Sequence, residues 1–321
     1  MLYLNEKDML TIGINWEETI DAIEKAVRCL NDKDYAQPVK PYLRYRDLTN
    51  RIIAMPAFVG GEIDLAGIKW IASFPGNIDN NIPRAHSVVV LNHADTGKPL
   101  CIINTALLSI IRTSSVTGLM IRYFMKARPM DSINVGIMGW GPIGQHHFKM
   151  CTELLKDKIG NIYLYDLREI NLDSLESPYK DKIVVTPSWR EAYRDADMFM
   201  TCTVSKVPYI DEKPKAGSLQ LNVSLRDYKV DIYDHTKAII VDDWEEVCRE
   251  KTDIEMLHIE KGLQEADTKS IADVVCNNCM AGFAEDEAVM FNPMGMAVFD
   301  IATAKHYLEK ANAMGVGQNL E

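Results

Sequence analysis

The sequence predicts an α/β protein whose second half forms a doubly wound parallel sheet. Two observations carry this. After the first 130 or so residues, short apolar runs alternate with polar stretches of helical spacing, as in strands joined by crossover helices. One of these runs, "INVGIM", feeds directly into "GWGPIG", a glycine spacing that sets a tight turn between a strand and a helix.

The elements follow in chain order. Asn15, with Glu17 and Glu18 behind it, starts a helix, because its side chain can cap open amides and acids favour that end of the dipole. Ile20, Ile23, Val27 and Leu30 recur at helical spacing and predict a helix over 16–33. Between 50 and 104, "RIIAMPAFV", "LAGIKWIAS", "SVVVLNH" and "PLCIIN" are separated by "GG", "PGN" and "DTGKP". These predict four strands, antiparallel in part. The stretch "TALLSIIRTSSVTGLMIRYFM" predicts a helix over 105–125 that ends ahead of Pro129, since a residue preceding proline is pushed out of the helical region. Strands are then expected at 133–138, 162–165, 183–185, 198–202, 220–223 and 239–241. A last helix falls in "MGMAVFDIATAKHYLEKA", where Ala297, Ile301, Ala304 and Leu308 share one stripe.

Bulk properties narrow the function classes. The chain has 321 residues and a formal charge of -11, which disfavours nucleic acid and anionic membrane as partners. No apolar run reaches membrane-spanning length, and "MLYLNEKDML" lacks the layout of a secretory signal. Seven scattered cysteines read as reduced thiols in a cytoplasm. "CNNC", Cys276 to Cys279, is half of a zinc motif without its second half, so no metal is expected.

The glycine loop carries the most chemistry. Gly139 permits the turn, Gly141 lets a pyrophosphate approach the backbone, and Gly144 lets the helix pack against the strand. The pyrophosphate would then rest on the positive end of that helix. "NIYLYD" ends in Asp166, roughly 20 residues beyond the loop, where an acid accepts hydrogen bonds from a ribose and repels a 2′-phosphate. NAD is therefore favoured over NADP, with Arg168 just beyond as the residue that keeps NADP in view. Further small and hydroxyl residues end later strands: Thr201, Cys202 and Thr203 in "TCTVS", and Ser224 in "LNVSLRD". They suit a backbone close to a nicotinamide or simply a turn.

Four charged residues invite a second reading. Lys69 in "GIKWIAS" either alternates outward to solvent or is a desolvated ammonium with a lowered pKa. Arg112 in "IIRTSSV" either snorkels to the surface or clamps a carboxylate. Arg44 in "KPYLRYR" is a third cation, and Asp227 closes "LNVSLRD", where it is either a turn cap or a base that activates water. His146 and His147 begin the helix after the loop and read as surface or cofactor-flanking residues.

"KPYLR", "MP", "GIKW", "HSVVVLNHADTGKPL", "IIRTSSV", "GWGPIG", "LNVSLRD" and "FNPMGMAVFD" together resemble the ornithine cyclodeaminase/mu-crystallin family along essentially the whole chain. The resemblance implies a Rossmann domain, residues 129–292, inserted into an α+β substrate-binding and dimerisation domain, residues 1–128 with 293–321. It implies that Arg44 and Arg112 hold substrate carboxylates, with Arg84 as a third candidate, and that Lys69 and Asp227 are catalytic. It also extends the cofactor-facing set to Pro142, Ile143, Val223, Met294 and Gly295.

One position departs from the family's cyclodeaminases. Where they carry a glutamate for the second amine, this chain has Ile53, and an apolar side chain cannot pair an ammonium. "GIKWIASFPGN", "IIVDDWEEVCREK" and "NPMGMA" are similar instead to the branch of N-(2-amino-2-carboxyethyl)-L-glutamate dehydrogenases, which supply 2,3-diaminopropionate for siderophores and peptide antibiotics. The resemblance thus implies NAD-dependent cleavage of such an amino acid by a homodimer. Cyclodeaminase or simpler amino-acid dehydrogenase activity, and a crystallin-like ligand-binding role without catalysis, stand as the alternatives.

Overall fold

Asn15 accepts a hydrogen bond from the Glu18 amide and caps helix α1, Trp16–Asn31. That helix buries the Ile20, Ile23 and Val27 stripe. Strand β1, Leu2–Asn5, precedes it. The four branched runs form β2 (Arg51–Val59), β3 (Leu65–Ser73), β4 (Ala85–His93) and β5 (Pro99–Asn104), an antiparallel meander. β1 joins its edge in parallel with β5. Register places Met55, Lys69 and Val89 side by side on one face, and all three are buried. Their chain neighbours Ala54, Trp70 and Val88 occupy the other face, where Trp70 is 45% exposed.

Helix α2, Leu107–Ala127, follows the meander. The remaining strands are β6 (Ile133–Met138), β7 (Ile159–Tyr165), β8 (Ile183–Val185), β9 (Met198–Thr201), β10 (Leu219–Leu221), β11 (Ala238–Val241), β12 (Lys269–Ser270) and β13 (Val289–Asn292). They build one parallel sheet in the order β8-β7-β6-β9-β10-β13-β11-β12. The chain enters at β6, winds outward to β8, then returns to the other side of β6 at β9. Ligands of such sheets bind at this reversal. Helix α3, Pro142–Leu155, leaves β6 there. β13 has no counterpart among the expected strands. Its four residues are all buried, and so short an apolar run cannot be assigned by periodicity.

Helix α4, Asp253–Lys261, lies between β11 and β12, and helix α5, Ala297–Met314, closes the chain. Gly67 in β3 lets α5 approach the meander, because a Cβ there would lie 2.7 Å from Ile301 Cδ1. This computed structural model describes residues 1–173, 175 and 177–321. It divides into Met1–Ser115 with Gly295–Glu321, and Val116–Met294. The second unit is a Rossmann-like doubly wound sheet inserted between the two segments of the first, α+β unit. Among the described residues, no helix is long and apolar enough to cross a membrane.

Candidate active site

The glycines of the loop differ in what surrounds them. Gly139 has φ +92°, and a Cβ on it would lie 2.6 Å from the Cys202 carbonyl oxygen. A Cβ on Gly144 would lie 1.9 Å from the Gly139 carbonyl oxygen. Both therefore serve chain packing. Gly141 has an ordinary φ of -75° and open space where its Cβ would be. Its missing side chain serves what approaches from outside. Gly141 also starts α3 without a side-chain cap, followed by Pro142, Ile143 and Gly144. The open cradle and the uncapped helix end fit a pyrophosphate.

Asp166 lies just past the end of β7. Its Oδ2 accepts the Trp140 amide at 2.7 Å and its Oδ1 accepts the Arg168 amide at 2.9 Å. Burial pushes this carboxyl up, but the Arg168 and Trp140 amides and the Arg168 guanidinium outweigh it and hold it below the usual range. A cavity of about 540 Å³ adjoins, lined by Tyr165, Asp166, Arg168, Val185 and Pro187. Leu167 is 92% exposed at its rim. The cavity has the size and the mixed lining that an adenosine half needs.

Asp227 is fully buried in the same unit. Thr203 Oγ1 donates to its Oδ1, and Ser224 Oγ donates to its Oδ2. The Tyr209 hydroxyl also bonds it, while the Asp227 carbonyl accepts the Tyr209 and Ile210 amides. Burial raises the carboxyl, and the Ser224, Thr203 and Tyr209 hydroxyls pull it part of the way back. Thr201 donates to Asn222, and its carbonyl accepts the Ser224 amide. The Cys202 amide bonds the Met138 carbonyl, and burial pushes its thiol well above the ordinary value. The Val223 amide turns back on Leu221, and the Met294 amide donates to Asp242.

The other unit holds a cluster of opposite sign. Lys69 points inward from β3 and is 1% exposed, with its Nζ 2.6 Å from Asp300 Oδ2. Arg112 Nε from α2 lies 3.0 Å from Asp300 Oδ1, and Asp300 on α5 has no exposure at all. Burial lowers Lys69 to about 7; Asp300 opposes this while Arg112 and Lys40 assist it. Burial also works against the Asp300 carboxylate, but Arg112 and Lys69 outweigh it and hold it below the usual range. Gly295 makes room, since a Cβ on it would come within 2.6 Å of Arg112 Nη1. Its carbonyl accepts from the buried Lys40 ammonium at 2.8 Å.

Lys69 and Arg112 are thus brought together, and for each the solvent-facing alternative is excluded. Arg44 and Arg84 are half-buried on the same unit. Arg44 donates to the Leu48 carbonyl and stacks on Tyr42, while Arg84 lies just ahead of β4 and its carbonyl accepts the Phe74 amide. His147 corrects an expectation. It is fully buried, held by the Ile143 carbonyl and Thr117 Oγ1, and burial lowers it to about 4. It braces α3 and is no surface residue. Cys276 and Cys279 are half-buried, and among the described residues no group of His, Cys, Asp or Glu could hold a metal ion.

Asp300, Lys40, Tyr209 and Asp253 were not singled out from the sequence. For Asp300 a signal existed: an acid inside "AVFDIATA" sits in a helical stretch with apolar neighbours, where a carboxylate is retained only with a partner.

The sequence pattern of the ornithine cyclodeaminase/mu-crystallin family matches residues 6–315. The chain is 31% identical to the N-((2S)-2-amino-2-carboxyethyl)-L-glutamate dehydrogenase of Staphylococcus aureus, over 100% of this chain and 98% of that protein. Its fold matches the Thermococcus litoralis Delta(1)-pyrroline-2-carboxylate reductase, solved with NADH and L-proline, at a TM-score of 0.88 and 24% identity, covering 100% of both chains. An archaeal alanine dehydrogenase dimer with bound NAD matches at a TM-score of 0.84 and 25% identity, covering 100% of this chain and 99% of that one.

Proposed function

This chain belongs to the ornithine cyclodeaminase/mu-crystallin family, and from that premise we propose an NAD-dependent oxidoreductase that cleaves N-(2-amino-2-carboxyethyl)-L-glutamate to 2-oxoglutarate and 2,3-diaminopropionate. The observation that carries the reading is the buried Lys69–Asp300–Arg112 cluster. A lysine lowered to about 7 can both take and give a proton near neutral pH. The Arg112 fork beside it suits a carboxylate. The full-length likeness to the staphylococcal dehydrogenase supports this choice of substrate.

Gly139, Gly141, Pro142, Ile143 and Gly144 would hold the pyrophosphate and Asp166 the ribose. Arg168, Thr201, Cys202, Thr203, Val223, Ser224, Met294 and Gly295 complete the cofactor-facing set. NAD⁺, when bound, supplies the acceptor for the hydride on the glutamate α-carbon, which leaves an imine and a proton. Asp227 takes a proton from water as its oxygen adds to the imine carbon. Lys69 then donates to the departing nitrogen as the carbonyl forms, releasing 2-oxoglutarate and 2,3-diaminopropionate. Arg112, Arg44 and Arg84 would take the three carboxylates of the substrate. Ile53 lies in register with Ile71 on the Lys69 face, an apolar row that offers nothing to a second ammonium.

The insertion would carry the cofactor and the outer unit the substrate. That outer unit would also dimerise through the sheet face bearing Ala54, Trp70 and Val88. So large an exposed tryptophan beside half-buried Ala54 and Val88 on this sheet face supports pairing with a second copy, and the archaeal relative was solved as a dimer.

Incubation of the purified protein with NAD⁺ and the amino acid tests this. NADH and 2,3-diaminopropionate should appear in equal amounts. NADH with ammonia from a simple amino acid would indicate an alanine-dehydrogenase-like activity instead. Proline with no net NADH would indicate a cyclodeaminase, and cofactor binding without turnover a storage protein.

A further inference from the structure

Asp253 makes contacts unlike those of an ordinary first-turn acid. It opens α4 behind the cap Thr252, is 2% exposed, and points its carboxylate away from water. Its Oδ2 accepts the Asn222 side-chain amide at 2.8 Å and the backbone amides of Asp227 and Tyr228 at 3.2 Å each. Its own amide donates to the Leu225 carbonyl at 2.8 Å. Every one of these bonds goes to the turn that delivers Asp227.

That turn needs holding. Leu225 has φ +63° and is buried, in the left-handed region that a leucine side chain disfavours. Its amide donates to Asn222 Oδ1 at 3.1 Å. Asn222 in turn donates to Asn292 at the end of β13. The turn is therefore clamped at Leu225 by Asn222 and Asp253 together, and Asp253 accepts the amides of Asp227 and Tyr228, while the Asp227 carbonyl accepts those of Tyr209 and Ile210. The Asp227 carboxylate is engaged separately by Thr203, Ser224 and Tyr209. The carboxylate and the backbone amide of Asp227 have different holders.

We propose that Asp253 is the positioning residue of this site, holding the 222–228 turn in the conformation that presents Asp227 to the substrate. The inference rests on the reading of Asp227 as the base. Burial pushes the Asp253 carboxyl up to about 7 in spite of the amides of Asn222, Tyr228 and Asp227, with the Asp227 charge adding to the rise. A carboxyl so costly to desolvate is a poor stability device. Asn at this position would keep the same acceptor oxygen whether or not the native acid carries its proton.

The test compares the full-length wild type with Asp253→Ala and Asp253→Asn. Asp253→Ala should lower kcat by about 10- to 100-fold, the scale of an ångström-sized misplacement. The KM for NAD⁺ should stay within about twofold, because the glycine cradle is built from other residues. Asp253→Asn should recover most of the lost kcat. A merely structural role would move stability and cofactor affinity together and would not be rescued selectively in kcat. Hydrogen exchange without substrate reads the clamp itself. Protection of the Asp227 and Tyr228 amides should fall at least about tenfold in Asp253→Ala and persist in Asp253→Asn. Unchanged protection, or an Asp253→Ala kcat within about twofold of wild type, would overturn the proposal. If the alanine variant does not fold, Asp253→Asn decides: protection lost there contradicts the clamp. A wild type inert on the amino acid, with protection behaving as described, refutes the earlier assignment of the reaction and leaves the clamp standing.

Discussion

The two buried charge clusters differ in what answers the charge. Around Lys69, one carboxylate serves two cations, Lys69 and Arg112. Around Asp227, hydroxyls from Thr203, Ser224 and Tyr209 serve one carboxylate. Burial drives both titrating groups toward neutrality, the lysine downward and the aspartate upward. Proton transfer is most efficient when donor and acceptor lie near the working pH. Two unlike environments thus reach one end. The ionic one sets position through full charges, and the hydroxyl one tunes through weaker bonds that can be altered singly.

Breaking the ionic cluster should have the largest effect. Asp300→Asn leaves two buried cations without their acid and should cost about 3–5 kcal/mol of unfolding free energy, read in a denaturant titration, with activity falling in step. Arg112→Lys keeps the charge but loses the fork. It should raise the KM for the amino acid roughly tenfold or more while kcat changes less. The hydroxyl side should respond more gently. Thr203→Val removes one bond to the ionised form of Asp227, so its carboxyl rises further. The acid limb of kcat/KM should move up by about one pH unit.

A further effect sharpens the comparison through stability. Lys69 sits near 7 in the fold against an ordinary 10.5. Between those values the unfolded chain binds the extra proton, so the unfolding free energy rises with pH across that window. The penalty is fully present below about 7 and relieved above it. Denaturant melts at pH 7 and pH 9 should show wild type gaining on Lys69→Met. A constant difference would mean that Lys69 is solvated in the fold.

Much of this was readable from sequence, and the rest was not for definite reasons. Gly139, Gly141, Gly144 and Asp166 were legible because turn, approach and packing each constrain one position at fixed spacing. Lys69 was not decided by its strand, since Ile68, Lys69 and Trp70 alternate equally well with either face inward. The packing of α5 on β3 settles the matter, turning Lys69 in and Trp70 out. Asp253 looks like a routine first-turn helix acid until the segment it bonds is in place, and the apolar surroundings of Asp300 in sequence call for a partner without saying which. The strand Val289–Asn292 inserts between β10 and β11, a topology that no local pattern specifies.

The proposed reaction has Lys69 and Asp227 acting on one substrate, and a double-mutant cycle on kcat/KM tests that proposal most directly. Lys69→Met and Asp227→Asn should each cost about 10²- to 10⁴-fold, and the double variant should lose little beyond the worse single one. Losses that multiply, with free energies adding to within about 0.5 kcal/mol, would show two residues working independently and would contradict the account.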